Sequence, residues 1–313
     1  MKNKVMDVYL IAGQSNAAGY TVYDENILKK LCGPYAEGFA NVLYSGRAEY
    51  TVNVNTPQVS TGANEVEGWV PVKVGFGFAA DRIGPELGMA AYLSEHYYNE
   101  KNSDKTAGII KFAHGGTSLL NDKSGENAAS GNWMPPSYAE TLGIGNYAES
   151  KLDGGLYKEL IKRVKSGVDK LKTLGYNDFN IKGLFWMQGE CDRNDPCEYT
   201  KAFEFFIKDL RRDLSAAVGR DLSNLPVIIG EISRTSGSAD VNAVAVNEAF
   251  IAVQRALAQK LDNVYCIASG KLDVNLLIDG VNKPTQDGWH WATEEMFTLG
   301  ELAGKCIVDN ILG

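Results

Sequence analysis

Histidine is scarce in this chain: only three, His96, His114 and His290, occur in 313 residues, so chemistry that needs an imidazole has few places to find one. Cysteine is almost as thin. Cys32, Cys191, Cys197, Cys266 and Cys306 form an odd set without CxxC spacing, which argues against a disulfide framework and against a structural zinc site. Cys191 and Cys197 alone are close enough in sequence to bridge, and Cys266 and Cys306 read as core residues. No apolar run approaches the ~20 residues that a membrane helix needs, so no membrane partner is expected. The opening residues lead straight into a strand pattern, the look of a cytoplasmic chain or of a secreted or periplasmic one trimmed of its leader. Basic residues are outnumbered, 31 against 39, for a net charge of −8. With no dense Lys/Arg cluster, nucleic acid is excluded as a partner. No metal and no cofactor is called for.

What is present is a long alternation of strand and helix patterns. Apolar β-type runs occur at Val8–Ala12, Ala107–Ala113, Ile181–Met187, Leu225–Gly230 and Asn263–Ala268. Helical patterns fall between and after them: one opened by Gly84-Pro85-Glu86, one over Gly155–Leu174 stopped by Gly175, one carrying Phe203, Phe206, Ile207, Leu210 and Leu214 on one face, and others over Val241–Lys260 and from Thr293 to about Leu312. This predicts an α/β fold with a central parallel sheet of about five strands and helices on both faces. A hydrophobic content of 44% supports one large domain over residues 1–313. Two segments break the alternation. Residues 17–83, rich in Gly, Tyr and Val, read as an inserted loop or hairpin region hanging over the site, with Trp69 and its tyrosines as candidate substrate contacts. Residues Asn121 to Ser150 read as a second surface loop, with Trp133 as a candidate sugar platform.

The chemistry gathers where strands stop. The first run ends in Gly13-Gln14-Ser15-Asn16, presenting a hydroxyl between two amides at the carboxyl end of a strand, where open α/β sheets bind ligands. The second ends in His114-Gly115-Gly116-Thr117-Ser118, whose glycines leave backbone N–H groups open to a ligand. The third ends in Gln188-Gly189-Glu190-Cys191-Asp192. Near the C-terminus stands Asp287-Gly288-Trp289-His290-Trp291. A base for Ser15 must be His290 or His114, and His290 alone has a carboxylate three residues away in a glycine-containing turn. Asp287 is therefore the expected partner of His290, with Glu190 and Asp192 as alternatives by position. Gln14, Asn16 and Trp289 flank these groups as candidate substrate contacts.

Four blocks in this order, Gly13-Gln14-Ser15-Asn16, Gly115-Gly116, Trp186-Met187-Gln188-Gly189-Glu190 and Asp287-Gly288-Trp289-His290, resemble the SGNH hydrolase superfamily. Within it they are similar to the carbohydrate acetylesterases that include sialate O-acetylesterases and the acetylxylan esterases of carbohydrate esterase family six. Gly-Gln-Ser-Asn stands where lipase-like relatives carry Gly-Asp-Ser, and Gln188 where they carry Asn; both departures are shared with the carbohydrate branch. The resemblance implies a three-layer α/β/α sandwich, flavodoxin-like, acting on acetylated carbohydrates through an acetyl-enzyme intermediate. It implies Ser15 as nucleophile, His290 as base, Asp287 as orienting acid with Glu190 as acid or loop support, and an oxyanion hole from the N–H groups of Ser15 and Gly116 or Gly115 with the Gln188 amide. A lipase or thioesterase of the same superfamily would favour aliphatic insertions, whereas these are rich in Trp, Tyr, Asn and Gly. A non-catalytic glycan-binding module would predict loss of Ser15, His290 or the donors, and none is missing. An anionic sugar such as sialate calls for a basic residue near Ser15, for which Arg47, Arg82 and Arg193 are the candidates.

Overall fold

The computed structural model describes residues 4–47, 50–52, 59–61, 66–102, 105–120, 131–278, 281–284 and 287–313. Seven strands form the main sheet: β1 (Val5–Gly13), β2 (Phe39–Arg47), β3 (Val66–Val72), β4 (Thr106–Ala113), β5 (Asp178–Met187), β6 (Val227–Gly230) and β7 (Val264–Ile267), in the spatial order β7-β6-β5-β1-β4-β2-β3. Neighbours pair in parallel except β2 and β3, which are antiparallel. Central β1 has its last six residues all buried, as a strand covered on both faces requires.

All five expected strands are present, and the two additional ones come from the segment 17–83. That segment was expected to be an insertion over the site. Part of it joins the sheet, with β2 beside β4, Leu43 opposite Gly108, and β3 closing the edge, while Tyr20 and Phe78 of the same segment stack beside His290. Trp69 is correspondingly a core residue, buried, its indole N–H donating to the Gly167 carbonyl at 3.0 Å. It is not available as a substrate contact. The alternation of Trp69-Val70-Pro71-Val72 marks β3 as a hairpin strand in the sequence, whereas β2, whose pairing with β3 carries register shifts, has no such mark.

The helices are α1 (Ser15–Ala18), α2 (Glu25–Leu31), α3 (Pro85–His96), α4 (Pro136–Thr141), α5 (Gly155–Lys170), α6 (Pro196–Val218), α7 (Val241–Lys260) and α8 (Thr293–Ile307). α3 packs on α8, and α5 and α7 each pack on α6. The small residues of α3 serve the helix pair: a Cβ on Gly88 would stand 2.0 Å from the Phe297 carbonyl oxygen, so only glycine permits that approach. Residues 121–130 of the second expected loop lie outside the described residues. Of the part that follows, residues 142–150 are surface turns as expected, but residues 131–135 are buried. Trp133 and Met134 are fully buried, Trp133 edge-on to Trp186 (ring centroids 5.3 Å apart), and α4 follows.

The register sets up the site. Gly13 stands opposite Ala113 on one side and Met187 on the other, so β1, β4 and β5 stop level with one another at one edge of the sheet. Their three polar turns emerge side by side.

Candidate active site

Gly13 makes the first turn possible. Its φ is +139°, and a Cβ there would lie 2.0 Å from the Met187 carbonyl oxygen; no L side chain fits. Gln14 continues the hydrogen bonding into the turn, its N–H donating to Met187 O at 2.9 Å and its Oε1 accepting from Gly189 N at 3.3 Å. Ser15 then opens α1, so its backbone N–H has no acceptor inside the helix, and its side chain sits at the mouth of the site with 8% of its surface exposed. On the β4 side, His114 N–H donates to Gly13 O at 3.0 Å, drawing the Gly115-Gly116 turn against that of Ser15. His114 itself is buried, with Nδ1 donating to Gly115 O at 3.0 Å.

His290 arrives from the far end of the chain. The turn that carries it is pinned on both sides: Thr21 Oγ1 donates to Trp291 O at 2.8 Å, and the Trp291 indole donates to Leu272 O at 2.7 Å. Asp287 Oδ2 lies 2.6 Å from His290 Nδ1, and its Oδ1 accepts from the backbone N–H groups of Trp289 and His290 at 2.9 and 3.1 Å. Partial burial pushes the Asp287 carboxyl up, but the His290 hydrogen bond, the two backbone donors and the imidazole charge outweigh it and bring its pKa down to about 2. Asp287 is thus an anion at any ordinary pH, and an anion at Nδ1 selects the tautomer that leaves the other ring nitrogen to act as a base. Tyr20 stacks on the imidazole, centroids 4.8 Å apart at 17°, and Phe78 stacks on Tyr20 at 4.7 Å.

The two alternative acids make hydrogen bonds of their own. Asp192 is buried; it accepts from Ser118 Oγ, from Leu119 N at 2.7 Å and from Gln188 Nε2 at 2.6 Å, so it shapes the turn after Gly116. Glu190 is buried and accepts from Asn16 Nδ2 at 2.9 Å. Burial pushes its carboxyl pKa up, against the Asn16 bond and the charges of His290 and Arg193.

Three expectations change. The Gln188 amide, expected to donate to an oxyanion, spends both N–H groups on Thr117 O (3.1 Å) and Asp192 (2.6 Å). Both of those partners are acceptors, which dictates the amide's orientation, and its Oε1 is left buried without a donor. In this arrangement Gln188 supports the turn. Trp133, expected as a sugar platform, is fully buried and donates to Thr117 Oγ1 at 2.9 Å. Gln14 and Asn16, expected as substrate contacts, are also buried and bonded to neighbouring strand ends. Trp289, by contrast, is 38% exposed beside His290, with the Arg193 guanidinium 4.9 Å from its ring centroid. Arg82 reaches the Tyr20 carbonyl and lies 6.0 Å from that ring; the Arg47 side chain is outside the described residues. Tyr20 is one of the tyrosines expected near the site in the segment 17–83, although nothing local in the sequence marks it as the neighbour of His290.

No disulfide joins any of the five cysteines. Among the described residues no group of His, Cys, Asp and Glu could hold a metal ion, and no helix is long and apolar enough to cross a membrane. A cleft of about 400 Å³ opens at the opposite edge of the sheet, by Tyr176 and Asp178. Of its charges, Lys165 pairs with Asp169 and Arg220 with Asp178, and it holds no nucleophile–base pair.

Residues 5–308 match a family model described as carbohydrate esterase, sialic acid-specific acetylesterase. No curated protein sequence matches the chain. Among solved structures it is similar to a protein from Arabidopsis thaliana (19% identity over 97% of this chain and 98% of that one, TM-score 0.58). It is also similar to a carbohydrate acetylesterase from Xanthomonas citri (18%, 96% and 56%, 0.56) and to NanS (16%, 98% and 98%, 0.56). At these identities the likeness is one of fold. The family match runs from the first residue of β1 to the end of α8 and includes every turn just described, and on that ground the chain belongs to the carbohydrate esterase family of sialic acid-specific acetylesterases.

Proposed function

We propose that this carbohydrate esterase removes O-acetyl groups from sugars through an acetyl-enzyme intermediate on Ser15. The observation that carries the reading is the 2.6 Å contact of Asp287 with His290 Nδ1 in a turn pinned beside the one that presents Ser15. His290 takes the Ser15 proton as Oγ attacks the acetyl carbonyl carbon. The resulting oxyanion is met by the N–H of Ser15 and that of Gly116 or Gly115. Collapse expels the sugar oxygen, protonated by His290, and leaves acetyl-Ser15. Water then attacks with His290 again as base, and acetate departs. Each oxyanion donor typically contributes ~3 kcal/mol to lowering the barrier. In this reading the backbone donors carry that task, since Gln188 is committed to Thr117 and Asp192.

The exposed Trp289, with Arg193 beside it, and the exposed Phe78, stacked on the Tyr20 that covers His290, suit the apolar face of a sugar ring. A panel of p-nitrophenyl esters from acetyl to octanoyl, followed by acetate release from acetylxylan, acetylated sialic acid and simple acetylated monosaccharides, tests the reading. Acetyl should be the preferred acyl group and Ser15→Ala should abolish release. Preference for octanoyl, or an active Ser15→Ala enzyme, would sink it.

A further inference from the structure

Asn16 follows Ser15 and is 1% exposed, and its amide has two N–H groups. One donates to Glu190 Oε1 at 2.9 Å, the other to the main-chain carbonyl of Trp289 at 3.3 Å. Trp289 immediately precedes His290, so a single side chain spans from the residue after the nucleophile to the residue before the base. A carbonyl only accepts, so the Trp289 contact sets which end of the Asn16 amide faces this way.

Two atoms are left over, Asn16 Oδ1 and Glu190 Oε2, both buried and both without a hydrogen-bond partner. They belong to the same two side chains whose Nδ2 and Oε1 are already joined. A proton on Glu190 Oε2 that Asn16 Oδ1 accepts satisfies both, closing a ring of two hydrogen bonds between an acid and an amide. An ionised Glu190 would leave Asn16 Oδ1 a buried acceptor without a donor, a costly arrangement that the hydrogen bond from Glu190's own backbone N–H to the carboxylate does not relieve.

Resting on the reading of Ser15 and His290 as the reacting pair, we propose that Asn16 and Glu190 are positioning residues: a neutral acid–amide clip whose remaining N–H holds Trp289 and so sets the separation of the nucleophile helix from the turn that carries the base. Burial raises the Glu190 pKa in the direction the clip requires. The charged and titratable groups that face it are His290, Arg193 on its own turn and the Tyr199 hydroxyl from α6. Misplacing a reacting group by about 1 Å can cost ~100-fold in rate, so a clip at this point acts on turnover more than on substrate affinity.

Glutamine is the discriminating replacement for Glu190. Its amide offers Asn16 the same donor and acceptor as a neutral acid, whereas it cannot replace an anion. With the full chain and p-nitrophenyl acetate, Asn16→Ala and Glu190→Ala should each lower kcat about 10- to 100-fold with KM moving less than about threefold. Glu190→Gln should keep kcat within about threefold of the unmodified enzyme and leave the acid limb of the kcat/KM profile in place. Should Glu190→Gln instead fall with Glu190→Ala and its acid limb move to lower pH, Glu190 acts as an anion on His290 and the clip is wrong. The proposal is equally overturned if Asn16→Ala turns over within about threefold of the unmodified enzyme. If the alanine variants do not fold, the acid limb of Glu190→Gln still decides. Ser15→Ala, assayed alongside, separates the two readings: activity in it defeats the assignment of the nucleophile, while its inactivity beside an active Asn16→Ala defeats the clip alone.

Discussion

Lys111–Glu86 and His290–Asp287 are both close pairs, at 2.7 and 2.6 Å, yet they differ in what surrounds them. The side chains of Lys111 and Glu86 are 0% and 1% exposed; those of His290 and Asp287 are 13% and 48% exposed. The Lys111 ammonium has three donors and uses all of them, on Ala18 O at 3.0 Å, Phe76 O at 2.6 Å and Glu86. It thereby bolts the end of α1 and the start of α3 to β4. Burial lowers its pKa and the Glu86 charge opposes that fall, and no solvent reaches it to exchange a proton. The other pair holds one imidazole nitrogen and stands at the rim, where a substrate and water can arrive. A short carboxylate–base contact can serve chemistry only where the base keeps access to something it can protonate; fully enclosed, the same contact is scaffold.

Separate substitutions break this contrast in order of size. Ser15→Ala should remove roughly ten-thousand-fold or more of kcat, as loss of a nucleophile does in comparable triads, while the melting temperature stays near that of the unmodified chain. An equally large loss of stability would mean that Ser15 belongs with the bolt and not with the chemistry. Lys111→Met should do the reverse: leaving Glu86 buried and unpaired costs about 3–5 kcal/mol, read as a lower urea midpoint at neutral pH. An unchanged midpoint would show that the pair is not a brace. Asp287→Asn comes next, at ~100-fold or more in turnover through the wrong imidazole tautomer, with folding little affected. The smallest effect is expected from Gln188→Ala. Stripping Asp192 and the Thr117 carbonyl of a donor costs about 1–3 kcal/mol of stability, with turnover falling less than about tenfold; a loss of ~100-fold at constant stability would restore Gln188 as an oxyanion donor.

Asp287 sharpens the pH side of the comparison. With its folded pKa down at about 2, the stability it contributes is fully present above the unfolded carboxylate value and is lost progressively as the pH falls from there through about 2. Activity lost between neutral pH and pH ~4 therefore has another source than protonation of this acid.

Legibility followed distance along the chain. The five strands and helix α7 could be read because apolar periodicity is local, and α7 runs over Val241–Lys260 as expected. The Asp287–His290 contact was readable for the same reason, three residues within one turn. β2 was not, because its irregular register against β3 breaks the alternation that marks a strand, while β3 showed only as the alternating piece from Trp69, with nothing local to say that it joins the main sheet. Lys111 had a signal that went unused: a lone lysine inside the run Ile109-Ile110-Lys111-Phe112 calls for a buried partner, and Glu86 in the first turn of α3 was the available one.

The order of polar turns at strand ends, the presence of a serine in the first of them and the pairing of an aspartate with a histidine in the last are properties of short stretches, and the sequence by itself determined them. Which donors remain open was decided only by the tertiary structure. Gln188 meets Asp192 and Thr117, Trp133 disappears against Trp186, and Asn16 reaches Trp289 across 273 positions. A side chain's donors are limited in number, and which neighbours claim them depends on the strand register that brings Gly13, Ala113 and Met187 level.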